Sequence, residues 1–210
     1  MEKTKIKLLA KVISMTGLVL IFAACGDDSN PTNTEQTNTE VTSLVDVRDG
    51  KTYKITTIRS QIWMAENLNY ETADSYCYGD VASNCAIYGR LYSWFDALTA
   101  CPSGWHLPDS LEFKALFLAV GGRDVAGKLL KSTTGWDSNG NGTDDYSFSA
   151  LPAGFYDGVF RAAGSIAYFW SSTERSDGNA SIMLLDFAFD RGYFLNFPKP
   201  TGLSVRCLKD

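Results

Sequence analysis

Histidine is almost absent from this sequence, which limits the catalytic centres that the chain can build. His106 is the only histidine among 210 residues, so any Ser/His/Asp or Cys/His centre would have to use it. It lies between Trp105 and Leu107 in a turn rich in Gly and Pro, where a structural hydrogen bond is the more common role of a histidine. We therefore assign no catalytic residue and do not expect an enzyme.

A long hydrophobic segment is also missing. The apolar stretch 12–24 has 13 residues, too few for a helix that crosses a bilayer core of about 30 Å. It follows four lysines and ends in two alanines before Cys25, the pattern of a bacterial signal peptide that is cleaved before a lipid-modified cysteine. We expect residues 1–24 to be a lipoprotein signal peptide and Cys25 to carry palmitate and other acyl chains. Ordinary signal cleavage is the alternative.

Apolar residues are scarce in the next segment. Between Gly26 and Ser43 the only aliphatic side chain of any size is that of Val41. Such a composition cannot bury enough apolar surface to offset the entropy of ordering, so residues 25–44 are expected to be a flexible tether. The pair Asp27 and Asp28 fits either a signal for display on the cell surface or a plain soluble linker. We expect an exported outer-membrane lipoprotein that contacts the membrane through its lipid, and display at the cell surface and an inward-facing position are both left open.

Positive charge is in deficit. Without residues 1–24 the chain has 15 basic and 23 acidic residues, a net charge of −8. An acidic surface argues against nucleic acid as a partner and against electrostatic docking to anionic lipid.

Residues 45–210 have the size of one domain and contain no internal repeat. Strands are predicted at 45–48, 53–58, 61–64, 181–190, 193–197 and 203–208, with an Asp49-Gly50 hairpin turn between the first two. Helices are predicted at 88–100, 109–120 and 123–131, and a mostly irregular region at 132–180. The first helix rests on the i, i+3, i+4, i+7 spacing of Leu91, Trp94, Phe95 and Leu98. The second begins at a capping box of Asp109 and Glu112. The order of elements predicts an α+β domain.

Cysteines are few but even in number once Cys25 carries lipid, and an exported protein with four cysteines is expected to form two disulfides. We expect Cys77–Cys85 to staple a short loop and Cys101–Cys207 to join the first predicted helix to the last strand. A metal site of all four cysteines is the alternative, and it lacks any C-x-x-C pair.

Five ordered motifs resemble one family. They occupy residues 62–70 (IWMAENLNY), 88–94 (YGRLYSW), 101–108 (CPSGWHLP), 169–173 (FWSST) and 204–207 (SVRC). In this order they resemble the Fibrobacter succinogenes major paralogous domain, which is found in surface and secreted proteins. The resemblance implies a C-type-lectin-like fold with two to three helices, antiparallel strands and a long irregular loop region. It also implies kinship with the formylglycine-generating module, a copper oxidase that needs a cysteine pair near its C-terminal half; here Cys207 stands alone there.

Oxygen ligands alternate along one loop in the manner of an EF-hand. Calcium is the candidate ion, and the candidate ligands are Asp137, Asn139, Asn141, Thr143 and Asp145. The twelfth position, which should supply a bidentate Glu, is Phe148. A solvated turn of Asx and Gly residues is therefore the alternative.

Aromatic residues beside the predicted loops are the candidate ligand-binding side chains, namely Trp136, Tyr146, Tyr168 and Trp170. Flat rings next to amides and carboxylates suit sugar rings, although aromatic residues also fill cores. The chain is thus predicted to be a lipid-anchored binding or adhesion module of the cell envelope, with a polysaccharide or a surface protein as its partner. An enzyme of the copper-oxidase type and a structural envelope protein without a ligand are the alternatives.

Overall fold

The computed structural model describes residues 42–210. The predictions for the signal peptide, for Cys25 and for nearly all of the tether lie outside these residues. Four helices occur in the described part: α1 (Ala82–Tyr88), α2 (Trp94–Ala100), α3 (Ser110–Ala119) and α4 (Arg123–Leu130). None of the helices between residues 42 and 210 is long and apolar enough to span a bilayer. The four helices and the mostly antiparallel sheets together confirm the α+β class.

The first sheet joins the start of the described chain to its end. It has five antiparallel strands in the order β1 (Ser43–Val45), β2 (Thr52–Ile58), β3 (Gln61–Met64), β13 (Leu208–Lys209) and β6 (Trp105–His106). The turn between β1 and β2 includes Gly50 at φ +76°, a conformation that glycine adopts without steric cost. The expected Asp49-Gly50 hairpin is therefore confirmed.

The second sheet forms the centre of the domain. Its six strands run in the order β11 (Gly192–Pro198), β10 (Asn179–Asp186), β9 (Ile166–Ser176), β12 (Leu203–Ser204), β5 (Leu91–Tyr92) and β4 (Ser75–Tyr76). Strands β9 and β12 pair in parallel, and the other neighbours are antiparallel. A separate hairpin consists of β7 (Phe155–Tyr156) and β8 (Phe160–Arg161).

Apolar side chains cover both faces of this central sheet. Trp170 and Ile182 on one face pack in a cluster with Trp94 of α2. Phe169 on the other face packs in a second cluster with Phe113 of α3. The sheet therefore lies between two buried layers, which is why its strands read as continuous apolar runs rather than as alternating ones.

Several predicted elements need correction. Strand β9 lies inside the region 132–180, which was predicted to be mostly irregular. The predicted strand 203–208 is split into β12 and β13. There are four helices in the described part instead of two to three, because α1 was predicted as loop.

The helix predicted at 88–100 is also shorter than expected. Gly89, at φ +70°, ends α1, and α2 begins only after Ser93, whose side chain accepts a hydrogen bond from the Asp96 N–H. Only half of the predicted apolar face is buried: Leu91 and Trp94 are, whereas Phe95 is 57% exposed and Leu98 is 41% exposed. The buried face of α2 consists of Trp94, Ala97 and Ala100.

A fully buried guanidinium connects distant parts of the chain. Arg206 Nε donates to Asn67 Oδ1 at 2.6 Å, Nη1 donates to the carbonyls of Met64 (3.1 Å) and Phe148, and Nη2 donates to the Ser149 carbonyl at 2.9 Å. Burial lowers the pKa of Arg206 to about 9, so the group stays charged at neutral pH. Because buried carbonyls need donors, this side chain ties the β3 end, the loop before Ala150 and the C-terminal segment together.

Both expected disulfides are present. Cys101, directly after α2, bonds Cys207, directly before β13, across a sequence separation of 106. Cys77 bonds Cys85 of α1 across a separation of 8. The pairing predicted from the sequence is confirmed, and the four-cysteine metal site is excluded because each of these sulfurs is bonded to another sulfur.

Candidate functional site

Three of the four aromatic residues expected at a ligand site lie in the core. Trp136, Tyr168 and Trp170 are buried, and the Trp170 Nε1–H donates to the Tyr92 carbonyl at 2.7 Å. Tyr146 is half-buried and packs against the second core cluster. The expectation of a surface site built on these four rings is thus corrected, since two of them belong to the central strand β9.

Two side chains in the first half of the expected calcium loop accept hydrogen bonds from other groups of the protein. Residues Asp137–Asn139 form a 3₁₀ turn, and Asp137 Oδ2 accepts a hydrogen bond from Ser165 Oγ at 2.7 Å. Asn141 Oδ1 accepts from the Trp136 N–H at 3.1 Å. These two oxygens therefore stabilise the loop itself.

The second half of that loop shows the same pattern. Thr143 donates through its N–H (2.8 Å) and its hydroxyl (3.4 Å) to the Lys128 carbonyl, whereas Asn139 and Asp145 are exposed. Within residues 42–210 no three His, Cys, Asp or Glu side chains are grouped so that they could hold a metal. Two of the five candidate side chains, Asp137 and Asn141, are thus bonded to protein donors, and calcium binding at this loop stays a prediction.

His106 lies between two carboxylates. Its Nδ1 is 2.7 Å from Asp210 Oδ1, and its Nε2 is 2.9 Å from Glu112 Oε1. Burial alone would lower the pKa of His106, but the hydrogen bonds of Asp210 and Glu112 outweigh it and raise the pKa. Glu112 also completes the capping box of α3, so the imidazole joins β6 to α3 and to the chain end. This arrangement gives His106 a structural role.

A continuous row of aromatic rings lies elsewhere on the surface. In order the rings are Tyr88, Tyr78, Phe160, Tyr156 and Tyr76, and we call them the aromatic ribbon. Neighbouring ring centroids are 6.4, 5.3, 4.7 and 4.4 Å apart along this order. All five residues are half-buried, so the ribbon is packed from below and remains accessible to solvent.

Four short elements hold the ribbon in place. Tyr76 belongs to β4, Tyr78 begins a 3₁₀ turn, Tyr88 ends α1, and the remaining two rings stand on the β7–β8 hairpin. The Cys77–Cys85 disulfide joins the segment of Tyr76 and Tyr78 to α1. This short crosslink therefore fixes three of the five rings relative to one another.

Polar groups surround the ribbon. The Tyr76 hydroxyl donates to the Asp74 carboxylate, and this hydrogen bond, with some burial, raises the pKa of Tyr76 to about 12. On the hairpin, Arg161 Nε lies 3.2 Å from Asp157 Oδ1 in an exposed ion pair. Flat rings with carboxylates and a guanidinium beside them can stack on apolar C–H faces and bind hydroxyl groups at the edge.

The ribbon was not predicted, because its rings come from separated stretches of chain. The nearest sequence signal is the triplet Tyr76-Cys77-Tyr78, in which two aromatic residues flank a disulfide cysteine. Hairpin contacts with these tyrosines depend on tertiary packing. No periodicity along the sequence encodes such contacts.

Comparison with known proteins identifies the domain. The profile of the Fibrobacter succinogenes major domain matches residues 56–209. The chain belongs to this family. No curated protein and no solved structure matches the chain.

In this member of the Fibrobacter succinogenes major domain family, the ordered motifs specify the core. Their buried residues include Trp63, Met64, Leu68, Tyr92, Trp94, Leu107, Phe169, Trp170, Val205, Arg206 and Cys207. Tyr88 is the motif residue that reaches the aromatic ribbon. The motifs therefore define the fold, while most of the candidate site lies outside them.

Proposed function

We propose that this protein is a carbohydrate-binding module of the cell envelope and holds a polysaccharide on the aromatic ribbon. The observation that carries the proposal is the unbroken row of five half-buried rings with centroid steps of 4.4–6.4 Å. Five half-buried rings in sequence suit a chain of sugar units better than a single small ligand, because successive units can each contact a ring of the row.

A C-type-lectin-like fold is part of this proposal. Two features support it: the long disulfide that ties the end of α2 to the C-terminal segment, and the irregular stretch between α4 and β9, which carries the ribbon's β7–β8 hairpin. Ligands of such loop-rich domains bind on surfaces that a rigid scaffold positions.

Lipid anchoring at Cys25 completes the proposal, with residues 25–44 as the tether to an outer membrane. The basic residues and apolar stretch before Cys25 support it, and two disulfides suit an exported protein. Cells that express Cys25→Ser should incorporate no labelled palmitate into the protein, while Cys77→Ser with Cys85→Ser should be labelled normally. Palmitate labelling of Cys25→Ser at the unaltered level would refute the anchor. If the anchor is supported, protease treatment of intact cells reports on which side of the membrane the domain lies.

Affinity electrophoresis of the full chain through gels that contain soluble glucan, xylan, mannan or pectin tests the binding function. We expect retardation by at least one polysaccharide and a loss of about tenfold in affinity for Tyr156→Ala, since truncation of an aromatic anchor costs more than about 1 kcal/mol. Phe189→Ala is the matched control. Phe189 is exposed and lies between β10 and β11, at the edge of the central sheet opposite β4.

Two results would contradict the proposal. If Tyr156→Ala and Phe160→Ala migrate like the unaltered protein in every gel that retards it, the ribbon is not the binding surface. If no polysaccharide retards the protein, a surface protein as partner or a purely structural role takes the place of carbohydrate binding.

A further inference from the structure

A polar cleft lies beside α1, which also supplies Tyr88 to the aromatic ribbon. It has a volume of about 250 Å³. Its walls are β2, the segment after β3, α1 and Leu151, and its lining residues include Lys51, Tyr53, Glu66, Asn69, Ile87, Gly89 and Leu151. This volume is below the range of about 300–1,000 Å³ that is usual for drug-sized ligands, so the cleft fits a group of about one sugar ring.

One residue that lines this cleft, Tyr53, has a buried hydroxyl with an unused proton. Tyr53 is only 3% exposed and lines the cleft, and its hydroxyl oxygen accepts a hydrogen bond from the Asn69 N–H at 3.0 Å. The hydroxyl proton itself meets no acceptor within residues 42–210. Burial raises the pKa of Tyr53 to about 12, so the group is a donor at neutral pH. A buried donor without an acceptor is costly, and a ligand oxygen would satisfy it.

A carboxylate with only one of its two oxygens bonded provides the complementary acceptor. Glu66 Oε2 accepts the Lys54 N–H at 2.8 Å, while Oε1 has no partner among the described residues. Lys51 Nζ donates to Asp49 Oδ2 at 2.6 Å and to the Asn69 carbonyl at 3.0 Å, which leaves one of its three protons. The ion pair with Asp49 also offsets the charge of Lys51, so the cleft has no free positive charge to attract an anion.

The pairing of donor and acceptor selects the ligand class. An ammonium group only donates hydrogen bonds and a carboxylate only accepts them, whereas a hydroxyl group does both. A ligand that carries several hydroxyls can therefore both accept from Tyr53 and donate to Glu66. Ile87 and Leu151 add an apolar wall for its C–H groups.

We propose that this cleft binds a single neutral sugar unit through its hydroxyl groups, as a site separate from the aromatic ribbon. The unit would be the end of the bound polysaccharide, and in this respect the inference rests on the proposed function.

An NMR titration of the mature full chain, made soluble by Cys25→Ser, tests the inference. The probes are the methyl glycosides of glucose, galactose, mannose and xylose, with glucosamine and glucuronate as charged comparators. We expect at least one neutral glycoside to shift the amide signals of Asn69, Ile87 and Gly89, and both charged sugars to shift them less.

Three variants define the site. Tyr53→Phe should weaken binding about three- to tenfold, the value of one hydrogen bond, and Tyr168→Phe is its control because that hydroxyl lies outside the cleft. Tyr53→Phe also deprives the Asn69 N–H of its acceptor and can therefore lower stability. The half-exposed Glu66 and the exposed Ile87 provide variants that do not depend on this hydrogen bond. Glu66→Gln should weaken binding about tenfold or more, since hydrogen bonds to charged groups are stronger, and Ile87→Trp should abolish it by filling the cleft.

The outcomes separate this inference from the proposed function. Absence of cleft shifts with every neutral glycoside, or equal affinity of Ile87→Trp and the unaltered chain, would overturn the cleft even if Tyr156→Ala loses polysaccharide. Binding of glucosamine alone would overturn it too. Cleft shifts in a protein that no polysaccharide retards would support the cleft and refute the ribbon.

Discussion

The two disulfides mark two regions that are built in opposite ways. Around Cys101–Cys207 the neighbouring residues Val205 and Arg206 are fully buried, and the motifs shared with the family converge there. Around Cys77–Cys85 the adjoining 3₁₀ turn Tyr78–Asp80 contains no buried residue, and half-exposed tyrosines surround the crosslink. The first region is a core with one crosslink, and the second is a surface that a crosslink holds in place.

This difference separates stability from binding. Burial of large side chains in the first region supplies the free energy of folding, since each such side chain contributes about 1.5–3 kcal/mol. The second region buries little, so its short elements need a covalent link to remain ordered. We expect changes in the core region to alter stability and changes in the ribbon region to alter binding, and the following predictions test that division from the largest effect to the smallest.

The largest effect should follow replacement of the buried guanidinium. Arg206→Met keeps an apolar chain of similar length but removes the donors to Asn67 Oδ1 and to three carbonyl groups. We expect a loss of about 3–5 kcal/mol in the free energy of unfolding, because each buried acceptor left without a donor costs about 1–3 kcal/mol, offset in part by the removal of a buried charge. Urea denaturation followed by tryptophan fluorescence measures it.

Arg161→Met is the matched control for that variant. Arg161 also pairs through a guanidinium, with Asp157, but it is exposed, so the expected change in stability is below about 1 kcal/mol. A loss of less than about 1 kcal/mol for Arg206→Met would mean that the core accommodates an apolar side chain there equally well. The division between the two regions would then not rest on Arg206.

Local sequence patterns were sufficient for much of the core region. The capping box of Asp109 and Glu112 located the start of α3, and Asp49-Gly50 located the first hairpin. The even number of cysteines indicated two disulfides. These features are encoded within a few residues or in composition, which is why they can be recognised without a structure.

Tertiary packing decided the features that were missed. The β9 residues around Trp170 are buried on both faces and show no alternation, so they could not be distinguished from aromatic residues in a loop. For the same reason Tyr168 was expected at a ligand site. The ribbon pairs Tyr76 with Tyr156 across 80 positions of sequence, and no local pattern predicts such a contact.

The two disulfides should differ in which property they support. In the loop-entropy treatment a closed loop of about 107 residues contributes roughly 2 kcal/mol more than one of about 9 residues. Replacement of Cys101 and Cys207 by Ser should therefore lower the melting temperature further than replacement of Cys77 and Cys85. The second pair of replacements should instead weaken polysaccharide binding more, because it frees Tyr76 and Tyr78. A larger stability loss from the short crosslink would reverse the comparison.

The smallest effect should come from His106, which connects the core region to the chain end. Its pKa in the folded protein is raised above the usual value of about 6.5, so the folded state binds the proton more tightly than the unfolded state. This contribution to stability is fully present below pH 6.5 and is lost as the pH rises through the folded-state pKa. The unaltered protein should therefore melt at a higher temperature than His106→Gln at pH 5.5, and this difference should shrink toward pH 8.5.

Asp210→Asn is the control, since it removes one carboxylate partner of His106 and leaves the capping box of Glu112 intact. It should shift the loss of stability to lower pH. An advantage that stays constant over this range would show that His106 stabilises the fold as a neutral hydrogen-bonding group, without contribution from its charge.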